Sequence, residues 1–302
     1  MSLHHLLAEA DAARLLATWP QEPEVLERGT TALDQVVTAE SLWEHVRLGC
    51  VPADEVRVVR GDVPSITAAA FSTNGRTEGP RLVGLYENGY TIRLGNLQRV
   101  MVPLARISRG IQEETGYSNY VHAFLTPPGC QGLRHHWDQQ MAVIVQLAGV
   151  KRWQLWGPVV ESPMREVGES WRVWRPEFIP EWEAKGPDLE VDLRPGQALT
   201  VPRGWVHNPF VPDGVEEGSV HLTFAIRERT PYWLAEQLVA GALTGDAAFR
   251  RIIPPPSLEG VELPARLAEA RGRLVEYLEG LDVAALADQV AAASRTHVEY
   301  TT

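Results

Sequence analysis

Three residues in this sequence have the types and spacing of a metal-ligand set: His136, Asp138 and His207. In RHHWDQQMAVIVQL an imidazole and a carboxylate stand two residues apart at the head of an apolar run. On a strand, side chains at i and i+2 share a face, so His136 and Asp138 are able to hold one ion together. His135 is one residue out of phase and is expected to point the other way. The third ligand has to come from elsewhere, and RPGQALTVPRGWVHNPF supplies it: a turn, an apolar strand, a Pro-Arg-Gly turn and then His207. Two imidazoles and a carboxylate leave one side of the ion open, the arrangement of non-haem Fe(II) oxygenases. An H-x-D tripeptide alone is weak evidence, because most are ordinary surface or core residues.

The elements that would carry these residues are short strands. NYVHAFLT, MAVIVQLA, RWQLWG, EVDL, ALTVP and SVHLTFAI are each bounded by turn residues, and such a series without intervening helices argues for a sandwich or barrel. Before them, apolar periodicity predicts helices over Leu3–Leu16 and Leu42–Leu48, and another from Leu97 to Thr115 closed by Gly116. Between Val56 and Leu94 the runs VRVV, RLVGLY and YTIRL read as strands. After Pro231 the chain turns helical through YWLAEQLVAGAL, PARLAEARGRLVEYLEGL and VAALADQVAAAS, with Pro254–Pro256 separating the first from the second. The expected class is mainly β with helical additions, organised as an oxygenase-like domain over 1–230 and a helical region over 231–302.

Composition narrows the partners. With 28 basic and 39 acidic residues the formal charge is −11, which disfavours direct nucleic-acid binding and tolerates a cationic peptide. Only Cys50 and Cys130 are present, so a disulfide framework is not expected and a reducing cytoplasm is the default. No apolar run is long enough for a membrane span.

At this point the sequence resembles the JmjC-type cupin family that includes the bacterial and human ribosomal oxygenases. The resemblance runs from about Asn119 to Arg227 and rests on LTPPGCQGLRHHWD, QLAGVKRWQLW, RPGQALTVPRGWVHNPF and SVHLTFAI, in that order. It implies a double-stranded β-helix, with His136, Asp138 and His207 as ligands of Fe(II), and 2-oxoglutarate and O2 as cosubstrates. The family's basic residue for the far carboxylate of 2-oxoglutarate falls on Lys151; without the resemblance Lys151 would read as a solvated turn residue. A dicarboxylate that chelates a metal at one end needs a cation at the other. Thr126 either points into the same pocket or begins the next turn. Where the family commonly has Asn and Tyr, this sequence has His122 and Phe124, a departure that bears on substrate identity more than on the reaction class. His221 and Thr223, two apart on a late strand, either line the cavity or, for His221, belong to the core. Arg134 reads as a surface arginine or as a substrate contact.

The resemblance implies hydroxylation of a protein or peptide side chain, His or Arg leading and the β-carbon favoured; a ribosomal protein is one source of that side chain, and the helical tail with the Trp-rich insert points equally to a natural-product precursor peptide. Demethylation of N-methyl groups and hydroxylation of a free amino acid share the metal logic, and a non-catalytic cupin sensor is the alternative outside enzymes. The helical tail, including FRRIIPPP, looks like the start of the family's dimerisation region and implies a homodimer. Seven of the ten tryptophans lie between 137 and 205, and three of them, Trp171, Trp174 and Trp182, fall in the long stretch 158–188. That insert reads either as a wall for an extended peptide or as a loop anchored on the barrel by its rings; Trp153 and Trp156 read as core.

Overall fold

The computed structural model describes residues 2–61, 63–164, 178–255 and 258–296. Its strands are β1 (Glu24–Glu27), β2 (Val56–Arg60), β3 (Val63–Ile66), β4 (Ser72–Thr73), β5 (Arg76–Thr77), β6 (Thr91–Leu94), β7 (Asn119–Thr126), β8 (Met141–Ala148), β9 (Lys151–Trp156), β10 (Leu189–Leu193), β11 (Gln197–Val201), β12 (Val206–Phe210) and β13 (Ser219–Ile226). The helices are α1 (Glu9–Ala17), α2 (Ala39–Leu48), α3 (Gly79–Glu87), α4 (Val102–Thr115), α5 (Ile179–Lys185), α6 (Pro231–Gly245), α7 (Glu262–Glu279) and α8 (Val283–Arg295). The chain divides into two compact units, 1–228 and 229–302.

In the first unit an eight-stranded antiparallel sheet runs in the order β1-β11-β8-β13-β7-β6-β2-β3, and a three-stranded sheet in the order β10-β9-β12. Alternation along the central strands assigns the two faces of the large sheet. Val121, Ala123 and Leu125 of β7, Val143 and Val145 of β8, and Leu222 and Phe224 of β13 enter a core shared with Leu42, Leu104 and Ile107 of the helices. Ala142 and Ile144 turn the other way, into a second cluster with Trp153 and Leu155 of β9 and Leu199 of β11. The large sheet is therefore covered by helices on one side and by the small sheet on the other. Two-sided burial explains why MAVIVQLA is apolar almost throughout. The chain crosses from β8 in the large sheet to β9 in the small one through a turn at Gly149, whose φ is +63° and whose added Cβ would meet the carbonyl of Gly218, so only glycine fits there.

Two assignments from sequence change. RLVGLY is not a strand but most of α3; Pro80 in its first turn fits a helix start, and a six-residue apolar run does not distinguish helix from strand. VHNPF, expected only to carry His207, is the strand β12, pairing antiparallel with β9.

In the second unit, α6, α7 and α8 leave Leu234, Val239, Leu243, Leu267 and Val275 exposed. Pro256 lies outside the described residues, as do Trp171 and Trp174. No described helix is long and apolar enough to cross a membrane.

Candidate metal centre

His136, Asp138 and His207 come together, with one ligand atom from each lying within 4.8 Å of the others. His136 and Asp138 do not sit on a regular strand. They lie in the extended segment before β8, fastened to β12 by an isolated bridge in which His136 N–H donates to His207 O at 3.1 Å and His207 N–H to His136 O at 2.7 Å. Asp138 is fixed from the other side, where its carbonyl accepts from Gly204 N–H at 3.0 Å. The Pro-Arg-Gly turn thus serves both ligands: it delivers His207 and holds Asp138. Gly204 has φ +87°, and a Cβ there would run into the Pro163 ring.

Both imidazoles are oriented by backbone carbonyls. His136 Nδ1 donates to Arg134 O at 2.7 Å and His207 Nδ1 to Trp205 O at 2.9 Å. These bonds set the tautomer that presents each Nε2 lone pair to an ion. His207 Nε2 stands 3.7 Å from Asp138 Oδ2. Burial, and then the neighbouring His207, pushes the His136 imidazole below its ordinary pKa, which favours the neutral form a metal requires.

The inner face of the barrel continues from this triad to Lys151. Trp153 of β9 contacts His207 on one side, with ring centroids 5.8 Å apart, and His221 of β13 on the other, at 5.6 Å. Two residues before Trp153, Lys151 is 2% exposed, and its Nζ donates to Thr126 Oγ1 at 2.8 Å. Thr126 Oγ1 also meets Thr91 Oγ1 at 3.1 Å. Among the described residues no carboxylate pairs with Lys151, and burial pushes its ammonium down to about 7. His221 is buried and stacks on Phe124 at 5.0 Å; its Nδ1 and the Nε1 of Trp153 are shielded from solvent without a partner. An orphaned cation and two orphaned polar atoms on one inner face form a cradle for an anionic, oxygen-rich molecule.

The remaining candidates fall as follows. His122 and Phe124 share the inner face with Thr126, and Thr223 shares it with His221, opposite His122 in register. Arg134 is exposed, and it is its carbonyl, not its guanidinium, that serves the triad. His135 does not join the ligands; its ring lies 4.9 Å from Trp156 and stacks 5.8 Å from Trp182. Trp182 is thereby packed on the barrel, and its carbonyl accepts from Trp156 Nε1 at 3.0 Å. Trp153, read from sequence as core, is in the core and also lines the site, whereas the inward Arg93 was not singled out. Arg93 had a signal, since a charged side chain between Ile92 and Leu94 has to leave the core on the opposite face.

Comparison with known proteins bears on the fold that carries this site. Residues 94–233 match the model of the JmjC domain. Over that segment the chain resembles the JmjC domain. It is 27% identical over 275 residues to ribosomal oxygenase 1 of Danio rerio, covering 87% of this chain and 48% of that protein. It is 33% identical over 156 residues to the bifunctional lysine-specific demethylase and histidyl-hydroxylase NO66 of Aedes aegypti, covering 52% of this chain and 23% of that protein. The chain therefore spans about half, or less, of the length of these curated relatives. Its fold is that of the Escherichia coli ribosomal oxygenase YcfD, with a TM-score of 0.56 at 15% identity over 89% of this chain and 68% of that one. One YcfD structure of the same fold, at TM-score 0.54 and 15% identity over 89% of this chain and 66% of that one, contains cobalt and 2-oxoglutarate.

Proposed function

We propose that this chain is an Fe(II)- and 2-oxoglutarate-dependent oxygenase that hydroxylates a side chain of a protein or peptide. Lys151 is the observation that carries the reading: a buried ammonium with no carboxylate partner among the described residues, on the same inner face as a two-histidine, one-carboxylate cluster. His136, Asp138 and His207 would hold the metal, and Lys151 with Thr126 would bind the far carboxylate of 2-oxoglutarate. Fe(II) with 2-oxoglutarate and O2 supplies the oxidising power to replace a C–H bond by C–OH, with succinate and carbon dioxide as the other products. The protein's own residues set the geometry. The Arg134 and Trp205 carbonyls fix the tautomer and the aim of both imidazoles, the Gly204 N–H holds Asp138, and Trp153 fills the space between triad and lysine so that bulk water is kept from the reacting atoms.

The name histidyl-hydroxylase favours His as the residue modified, while Arg and the β-carbon are expectations from the sequence motifs alone. The same name includes lysine demethylation, which keeps that reading alive as the second one. Ribosomal protein and precursor peptide remain the two substrate sources to test. The exposed apolar residues of α6 and α7 support a homodimer formed through the 231–302 region. Incubation with Fe(II), 2-oxoglutarate and peptides tests the reading. Succinate should form in the wild type and not in His136→Ala, with a mass gain of one oxygen on the peptide. Loss of a methylene from a methylated peptide would instead select demethylation, and no succinate with any substrate would remove the enzymatic reading.

A further inference from the structure

Strand register arranges the inner-face residues in levels. Thr126 faces Ser219 across β7 and β13, and Phe124, two residues earlier, faces His221. His221 in turn faces Gln146 of β8. On the opposing sheet, Lys151 and Trp153 are likewise two apart on β9, with Lys151 meeting Thr126 and Trp153 meeting His221. One level therefore holds Lys151 and Thr126, and the next, about 7 Å along both strands, holds Trp153, His221 and Phe124. Trp153 also touches His207, so the second level lies between Lys151 and the metal cluster.

The second level is well packed and poorly hydrogen-bonded. The buried His221 ring stacks on Phe124 at 5.0 Å and 16°, and meets Trp153 edge-on at 5.6 Å and 68°. Among the described residues, neither His221 Nδ1 nor Trp153 Nε1 has a hydrogen-bond partner. Gln146 does not serve the ring opposite it. Its amide N–H groups go to Ala148 O and Ser219 Oγ, both at 2.8 Å, and its Oε1 is itself without a partner among the described residues. Burial, and then the nearby Lys151 charge, pushes the His221 imidazole well below its ordinary pKa, so the ring is neutral. Its proton can then sit on whichever nitrogen an entering acceptor faces.

We propose that His221 and Trp153 are specificity-determining donors to the far carboxylate of 2-oxoglutarate, gripping it from the side of the metal cluster while Lys151 holds it from the other. A carboxylate offers about four acceptor positions, and an ammonium that gives one N–H to Thr126 fills only part of them. The imidazole and indole N–H groups fill the rest without adding charge. Phe124 supplies the face on which the imidazole stacks and no competing donor. A ligand lacking that carboxylate leaves both N–H groups unmet and draws nothing from them. The inference rests on the oxygenase reading for the identity of the cosubstrate.

The test is calorimetric binding to the full chain loaded with Zn(II), where nothing turns over. The ligands are 2-oxoglutarate and 2-oxopentanoate, which keeps the chelating end and lacks the far carboxylate. His221→Phe keeps a ring stacked on Phe124, and Trp153→Phe keeps a ring between His207 and His221, so each removes the N–H and spares the packing. Each should weaken 2-oxoglutarate on the order of tenfold, the value of one hydrogen bond to a charged group, and leave 2-oxopentanoate within about twofold. Two variants keep the test decisive if one fails to fold. Equal weakening of both ligands would assign the rings a packing role alone and overturn the proposal. Unchanged 2-oxoglutarate binding in either folded variant, or no 2-oxoglutarate binding by the wild type, overturns it as well. Succinate formation under Fe(II) by a wild type whose variants bind 2-oxoglutarate unchanged would leave the oxygenase reading and remove the two donors. Carboxylate-selective loss in the variants, without succinate formation by the wild type, would do the reverse.

Discussion

Replacing Lys151 by methionine separates function from stability. The side chain is 2% exposed, and burial moves its pKa from 10.5 to about 7. A depression of that size corresponds to about 5 kcal/mol of stability forfeited when the ammonium is carried into the folded state. The folded pKa lies below the unfolded one, so the folded chain holds fewer protons between about pH 7 and 10.5. Wild-type stability therefore rises with pH across that window, and the penalty is complete below about pH 7. Lys151→Met fills nearly the same volume without a charge, and Thr126 keeps its contact with Thr91. Net of the lost hydrogen bond to Thr126, the variant should be more stable than wild type by about 2–4 kcal/mol near pH 6, with the gain shrinking toward pH 10. Urea unfolding of both proteins at pH 6, 7.5 and 9 reads this, at about those three values. Calorimetry on the Zn(II)-loaded chain should at the same time show 2-oxoglutarate binding weakened tenfold or more. In the wild type, binding near pH 7 should draw in a fraction of a proton, seen as a heat that depends on the buffer. A variant less stable than wild type at pH 6, or one that binds 2-oxoglutarate as well, would refute the reasoning.

The other consequences concern the supports of the triad and its surroundings. Asp138→Ala removes a half-exposed carboxylate at little cost in stability, and metal affinity measured by competition with a chromophoric chelator should fall by at least tenfold. Gly204→Ala forces a side chain onto a φ of +87° and against Pro163, so it should cost about 1–3 kcal/mol in urea unfolding and weaken metal binding by displacing Asp138. Trp182→Ala takes away the rings' packing on His135 and Trp156 and should lower stability by about 1–3 kcal/mol, with metal affinity in the same chelator assay little changed. Light scattering of the full chain should report a dimer; a monomer at micromolar concentration would withdraw the dimer reading of the 231–302 region.

Much of the site could be read from the chain because its chemistry is local. H-x-D and the P-R-G-W turn depend on short spacings and turn geometry, and strands with one residue per face impose alternation whatever they pack against. His136, Asp138, His207 and the strands of residues 119–226 follow from that, and the four ordered motifs pointed to the JmjC family. What the tertiary structure decided concerns contacts between segments far apart in sequence. His136 shares a face with Asp138 because a two-bond bridge to His207 holds the segment extended, not because a strand runs through it. RLVGLY is helical because packing and a first-turn proline outweigh a short run's ambiguous pattern. Whether Lys151 is solvated or buried depends on β7 reaching it through Thr126. Residue type and spacing specify what a group is able to do. Whether its charge and hydrogen bonds are already satisfied is a property of the folded surroundings, because water, the universal partner in the unfolded chain, is excluded only there.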